Sequence, residues 1–386
     1  MRILLLFVFS LLANGAIPWD FKELSKRPAV HEAVTQEPGV RALYFDSVAW
    51  KGKPTRVFAY YAAPAGNKLP AMVLIHGGGG TAFAEWVRMW NKRGYAAIAI
   101  DTCGNVPELA AKGKEWHPVK KHGEFGGPEG WGGFDQIDQP TTDQWSYHAV
   151  AAAVLAHSLL RSFPEVDARR IGVTGISWGG YLTDIVSGVD PRFRFAAPVY
   201  GCGFLGEDSA WLTNFAKMGK ERAAKWLSLW DPSVYLGLGK MPMLWVTGTN
   251  DFAYPFPSLQ KSYRLPRGPR TLAIRVRMKH SHPDGAIPEE IFAFADSFFK
   301  KATPLVRIAK SGDDWVEFGG KRRVVKAELN FTKDEGKWQE RKWESVGASV
   351  RGRRASGVVP AGAKAWYLNL FDEAGLVVSG EDRTAR

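Results

Sequence analysis

The stretch RRIGVTGISWGGYLTDI, residues 169–185, sets a single serine among glycines in the order Gly175-Ile176-Ser177-Trp178-Gly179. A serine hydroxyl is a weak nucleophile near neutral pH. It needs a base to take its proton, an acid to orient that base, and donors to receive the developing oxyanion. Ile171 and Val173 suit a strand before the glycines, and a helix-like run follows them. Ser177 is therefore predicted on a tight strand-to-helix turn that lifts its hydroxyl into the open. The helix after it offers a partly positive N-terminus to negative charge. In a chain with 41 glycines the bare spelling G-x-S-x-G says little. The strand before and helix after mark Ser177 as a nucleophile.

The remaining parts lie upstream and downstream. PMLWVTGTND brings Asp251 to the end of a buried-type strand, and RVRMKHSHP brings His280 and His282 just past the next one. Ser, then Asp, then His is the chain order of the α/β-hydrolase fold. Asp190, Asp208 and Asp231 follow no comparable strand, which leaves Asp251 as the orienting acid. His280 is the first histidine to leave its strand. Pro283 restricts His282 to extended backbone, which suits a residue that shapes the loop. His280 is thus the expected base. HGGGG, residues 76–80, ends another strand where this fold supplies its second oxyanion donor. The donors would be the backbone N–H of Trp178 and of Gly78 or Gly79.

Other chemistries fit these residues less well. The glycine run matches neither the Walker pattern nor a dinucleotide fingerprint. The pair His280-x-His282 has no cysteine nearby and no carboxylate at a recognised ligand spacing. Neither a metal nor an organic cofactor is expected. His76 reads as structural rather than catalytic, His148 and His157 as packing residues on the long helix, and His117 and His122 as solvated or substrate-facing.

These side chains require a scaffold. VRALYFDSVAW and TRVFAYYAAP flank KGKP and read as paired strands around a turn. PAMVLIHGGGG and AAIAIDTCG are continuous apolar runs, the signature of parallel strands covered on both faces. AEWVRMWNKRGY is predicted helical. From Gly104 to about Thr142 the periodicity disappears, yet Trp116, Phe125, Trp131 and Phe134 argue against disorder. Trp116, Trp131 and Phe134 could form a sugar-binding wall. A helix follows, with Tyr147, Val150, Ala151, Val154, Leu155 and Ser158 on one face. NFAKMGKERAAKWLSLWD reads as one helix and PEEIFAFADSFFK as the closing one. Alternating β and α over most of the chain predicts a doubly wound, mostly parallel α/β-hydrolase sheet for residues 17–303. Residues 304–386 lack a convincing helix and read as a small β-sandwich, with KWQERKWES among its strand-like runs.

Composition narrows the class. The chain has 386 residues, 45% of them hydrophobic, with 16 tryptophans and a formal charge of +12. The basic residues are scattered without a nucleic-acid-binding signature, so nucleic acid is not an expected partner. Residues 1–16, MRILLLFVFSLLANGA, combine one positive charge, an apolar run and small residues at the end, as a signal peptide does. No later stretch is apolar enough to span a membrane, so a secreted or periplasmic protein is expected. Cys103 and Cys202 follow strands that the inferred fold separates by two others. At about 4.8 Å per strand they lie roughly 14 Å apart, beyond disulfide reach.

Taken together, HGGGG, TDQWSYHAV, VTGISWGGYLT, PVYGCGFL, TGTND and KHSHPDG resemble exported bacterial α/β-hydrolases of the acetylxylan-esterase and dienelactone-hydrolase-like kind, over about residues 41–301. The resemblance implies a triad of Ser177, Asp251 and His280, with His280 as the first histidine of an H-x-H pattern. It also implies an oxyanion hole at Trp178 and the HGGGG glycines. Dienelactone hydrolases proper use a cysteine nucleophile, so Ser177 favours the esterase side. The expected activity is removal of acetyl or another small acyl group from polysaccharide. Two rivals are a prolyl-oligopeptidase-like peptidase and a non-catalytic carbohydrate-binding protein on the same scaffold. Oligomeric state is left open.

Overall fold

A computed structural model of the chain describes residues 17–108 and 116–385. The leader read as a signal peptide lies outside the described residues. Strands β1 (Val30–Glu32), β2 (Arg41–Trp50) and β3 (Lys53–Ala62) form an antiparallel edge. Strands β4 (Leu69–Ile75) and β5 (Ala96–Ile100) follow, and then a small separate hairpin of β6 (Asn105–Pro107) and β7 (Lys120–His122). The sheet is completed by β8 (Val166–Ile176), β9 (Ala196–Val199), β10 (Met243–Gly248) and β11 (Arg270–Arg275). Its order is β1-β2-β3-β5-β4-β8-β9-β10-β11, parallel from β5 onward. Every residue of β5, β9 and β10 is buried. That is why these strands read as unbroken apolar runs: helices cover both faces.

The helices Ala84–Lys92 and Glu289–Phe299 meet through Trp90 and Phe292, with ring centroids 4.8 Å apart. The helix Trp145–Leu160 packs beside Trp178–Val189, which follows the serine. All sixteen residues of Trp145–Leu160 are buried, not one face alone. Residues 17–24 cover part of it. Trp19 stacks on Tyr147, its indole N–H donates to the Tyr147 carbonyl, and Ser158 Oγ donates to the Leu24 carbonyl. A second difference concerns NFAKMGKERAAKWLSLWD, which is two helices, Leu212–Met218 and Lys220–Trp230. Gly219 breaks them at φ 80°, ψ 159°, a conformation only glycine adopts readily.

The C-terminal residues build their own antiparallel sheet. It contains β12 (Arg307–Ser311), β13 (Trp315–Gly319), β14 (Val324–Thr332), β15 (Glu344–Arg351), β16 (Arg354–Ser356), β17 (Ala365–Asp372) and β18 (Val377–Ser379). The order is β12-β13-β16-β15-β14-β17-β18, with β19 (Arg383–Thr384) paired to β17. The two sheets share no backbone-paired strand. Within KWQERKWES, Trp338–Glu340 is a 3-10 turn and strand begins only at Glu344. Trp338 and Trp343 instead pack on Phe256 of the first unit, with centroids 5.3 and 5.6 Å away. No helix among the described residues is long and apolar enough to cross a membrane. Cys103 and Cys202 are both free and buried.

Candidate active site

Ser177 closes β8 at φ 60°, ψ −117°, a strained backbone for a residue with a side chain. The neighbouring glycines make the turn possible. A Cβ on Gly179 would fall 1.9 Å from the Ile75 carbonyl oxygen, and one on Gly175 would fall 2.1 Å from that of Gly179. The Ser177 N–H donates to the Val199 carbonyl, and the Tyr181 N–H donates to the Ser177 carbonyl, both at 2.9 Å. Strand pairing on one side and a helix start on the other thus hold the strained residue in place. The hydroxyl opens into a cleft of about 450 Å³.

His280 reaches back over the sheet from the loop after β11. Its Nε2 lies 2.8 Å from Ser177 Oγ, and its Nδ1 lies 2.6 Å from Asp251 Oδ2. The carboxylate is oriented by its other oxygen, which accepts the N–H groups of Ala253 (2.9 Å) and Tyr254 (2.7 Å). The imidazole is stacked on Tyr200 at 4.3 Å between centroids and flanked by Phe252 at 4.7 Å. A ring held on both nitrogens and on its faces has little freedom to move away from Ser177 Oγ. The three residues named from the sequence converge, although 103 positions separate Ser177 from His280.

The HGGGG stretch turns tightly, with the Gly80 N–H donating to the Gly77 carbonyl. Gly79 takes φ 73°, the positive value required at the third position of a type II turn. Among the described residues, the N–H groups of Gly78, Gly79 and Trp178 have no protein acceptor. Trp178 is the first helical residue, whose N–H has no intrahelical partner by geometry. All three residues border the cleft beside Ser177.

Two side chains fasten this turn. His282 Nε2 accepts the Gly77 N–H at 2.9 Å, and its ring packs on Phe83. Burial, with His76 nearby, pushes the His282 pKa down to about 3, so the ring stays neutral and able to accept. Lys120 Nζ donates to the carbonyls of Gly79 and Gly80 from β7, and burial pulls its pKa below the ordinary value. His76 is structural: its Nε2 accepts the Thr102 N–H, and burial lowers its pKa to about 4.

Of the aromatic wall expected from the irregular loop, Trp131 lines the cleft and is 45% exposed. Trp116 and Phe134 do not line it. Trp116 packs on Phe83, and Phe134 is stacked on Trp226 behind Trp178. Their places are taken by Trp211 and Phe252, which the sequence reading missed. Phe252 is 53% exposed beside Asp251, so adjacency to the acid was the available signal. Lys120 carried no signal, because it lies in a stretch without periodicity.

Residues 20–210 match the acetyl xylan esterase (AXE1) family, and residues 139–303 match the prolyl oligopeptidase family. Among solved structures, an acetyl xylan esterase from Paenibacillus sp. R4 superimposes with a TM-score of 0.57 at 22% identity, covering 72% of this chain and 92% of that one. Acetyl xylan esterase 1 from Thermoanaerobacterium sp. JW/SL YS485 follows at TM-score 0.51 and 18% identity, covering 68% and 89%. An acylaminoacyl peptidase from Pyrococcus horikoshii gives 0.50 at 18% identity, covering 72% of this chain but 44% of the peptidase. At these identities the structural likeness establishes the α/β-hydrolase fold. No curated protein sequence matches.

Proposed function

Since the chain is an acetylxylan-esterase-like serine ester hydrolase, we propose that it is exported and strips acetyl or other small acyl groups from polysaccharide by two-step acyl transfer. The observation that carries this reading is the continuous hydrogen-bonded line from Asp251 through His280 to Ser177. Ser177 Oγ attacks the ester carbonyl carbon while His280 Nε2 takes its proton, and Asp251 steadies the imidazolium. The N–H of Trp178 and of Gly78 or Gly79 receive the oxyanion. Collapse of the intermediate returns the proton from His280 to the departing sugar oxygen and leaves Ser177 acylated. Water, deprotonated by His280, then attacks the acyl carbon, and acetate departs as Ser177 recovers its proton. Trp131, Trp211 and Phe252 offer flat apolar faces on which sugar rings can stack.

The prolyl oligopeptidase match over residues 139–303 favours a second reading, in which the same three residues cleave a peptide bond. Acetate release from acetylated xylan, hydrolysis of p-nitrophenyl acetate and cleavage of a peptide anilide, measured side by side, separate the two. The esterase reading expects the first two reactions and negligible amide cleavage. Ser177→Ala should fold normally and lose more than 99% of turnover; a variant retaining several per cent sinks the acyl-transfer mechanism. Turnover of neither ester nor anilide by the wild type would leave the non-catalytic scaffold. Export rests on the apolar leader. N-terminal sequencing of the protein recovered from outside the cytoplasm should find it cut after Ala16.

A further inference from the structure

The C-terminal sheet contributes no member of the triad, yet it touches both loops that carry the acid and the base. Asn250 immediately precedes Asp251. Its carboxamide nitrogen donates to the Arg341 carbonyl at 2.7 Å and lies 3.2 and 3.4 Å from the carbonyls of Gln339 and Trp338. Its Oδ1 accepts the Thr249 hydroxyl at 2.8 Å. Thr249 Oγ1 in turn accepts the N–H of Arg277, at 2.8 Å, on the loop leading to His280. Arg277 sits at φ 55°, a strained value for a residue with a Cβ. Its guanidinium donates to the Trp343 carbonyl, again in the C-terminal unit. One short segment, residues 338–343, therefore grips the acid loop through Asn250 and the base loop through Arg277, with Thr249 tying the two loops together.

The segment is itself immobilised. Trp338 and Trp343 pack on Phe256, Tyr367 closes the cluster, and the Arg341 guanidinium covers Trp338 at 3.6 Å from the ring centroid. The turn that displaced the expected strand presents three carbonyls to one side chain. Such carbonyls form a rigid acceptor site, and rigid support matters because small displacements of catalytic groups are costly.

We propose that Asn250 and Arg277 are positioning residues through which the C-terminal β unit holds Asp251 and His280 in hydrogen-bonding register, making that unit part of the catalytic apparatus. The proposal rests on the acyl-transfer reading of the triad. The experiment compares Asn250→Ala, Arg277→Ala, Arg277→Lys and the double alanine variant of the full chain with Ser177→Ala and Arg264→Ala. Arg264 pairs with Glu381 elsewhere on the seam and touches neither loop. Alanine at 277 retains the backbone strain, so it isolates the guanidinium contact. Turnover of p-nitrophenyl acetate per folded molecule, KM and melting temperature are read for each.

Asn250→Ala and Arg277→Ala should each lower kcat by roughly ten- to a hundred-fold with KM little changed. The double variant should lose less than the product of the two, and Arg277→Lys should recover much of the loss. Arg264→Ala should lower the melting temperature while leaving kcat as it was. Wild-type kcat per folded molecule in Asn250→Ala and Arg277→Ala, with only their melting temperatures lowered, overturns the proposal alone. Turnover surviving in Ser177→Ala overturns the acyl-transfer reading and the proposal with it.

Discussion

Two histidines two residues apart divide the work at this site. His280 bonds Ser177 and Asp251; His282 bonds the backbone of the glycine turn at Gly77. The division follows from the backbone: His282 does not take the extended form expected before Pro283 but opens the short helix His282–Ala286, capped by Ser281, and its ring meets Gly77 and Phe83. His280→Ala should remove the base and lower kcat by about 10⁴-fold or more. His282→Ala should free Gly77 and let the oxyanion donors drift, costing roughly ten- to a hundred-fold in kcat with KM nearly constant. His282→Gln keeps an acceptor and should restore part of that loss. Steady-state kinetics on a small ester, in variants of matched melting temperature, check the order. Equal damage from both alanine changes would contradict separate roles.

Elements built to be buried carry titratable groups inside them. The helix Trp145–Leu160 encloses His157, which is packed against Phe193 with centroids 4.5 Å apart. Burial lowers its pKa from the ordinary 6.5 to about 3. Below pH 6.5 the unfolded chain therefore takes up a proton that the folded chain refuses until about pH 3. Stability falls with acidification across that window, by at most about 1.4 kcal/mol per pH unit from this ring. His157→Leu abolishes that contribution. Its stability relative to the wild type should improve by about 2 kcal/mol between pH 7.5 and pH 5. Urea unfolding at both pH values measures the difference, and a constant gap would rule the linkage out. At the elbow, Gly179→Ala should destabilise by ~3 kcal/mol or more, because the added carbon enters the Ile75 carbonyl and nothing there can move without opening the sheet. Thermal unfolding of that variant reads the loss.

The two large sheets are joined along the β11 edge of the larger one. The Ile274 N–H on β11 donates to Ser379 Oγ, and the Ile274 carbonyl accepts from Asn369. Side chains of the second unit thus satisfy an edge strand that would otherwise present free backbone groups. Beneath them, Glu290 is fully buried, accepts Arg275 through both oxygens, and also accepts the Val377 N–H. A chain ending at residue 303 uncovers β11 and Phe256 together and leaves Glu290 without one of its donors. It should aggregate or elute as high-order species, and whatever fraction stays soluble should turn over esters poorly. Size-exclusion chromatography with an ester assay on the eluted peak tests both. A soluble, monodisperse and fully active truncation would refute this account of the seam.

Much of the fold was legible because its signals are local. A parallel central strand buried on both faces must be apolar throughout, so β4, β5 and β10 announced themselves. The elbow was legible because only glycines permit the close approach around Ser177, and the order Ser, Asp, His follows the strand order of the fold. Tertiary structure alone decided the rest. Trp116 and Phe134 have the same chemistry as Trp131, and only packing reveals that the first two are spent on Phe83 and Trp226. Lys120, Asn250 and the Gly77 contact of His282 act through backbone groups up to 205 positions away. Backbone N–H and C=O groups are the same in every residue, so nothing in the letters marks which of them a distant side chain will find. Identity determines what a residue can do, and the path of the chain determines which partner it meets.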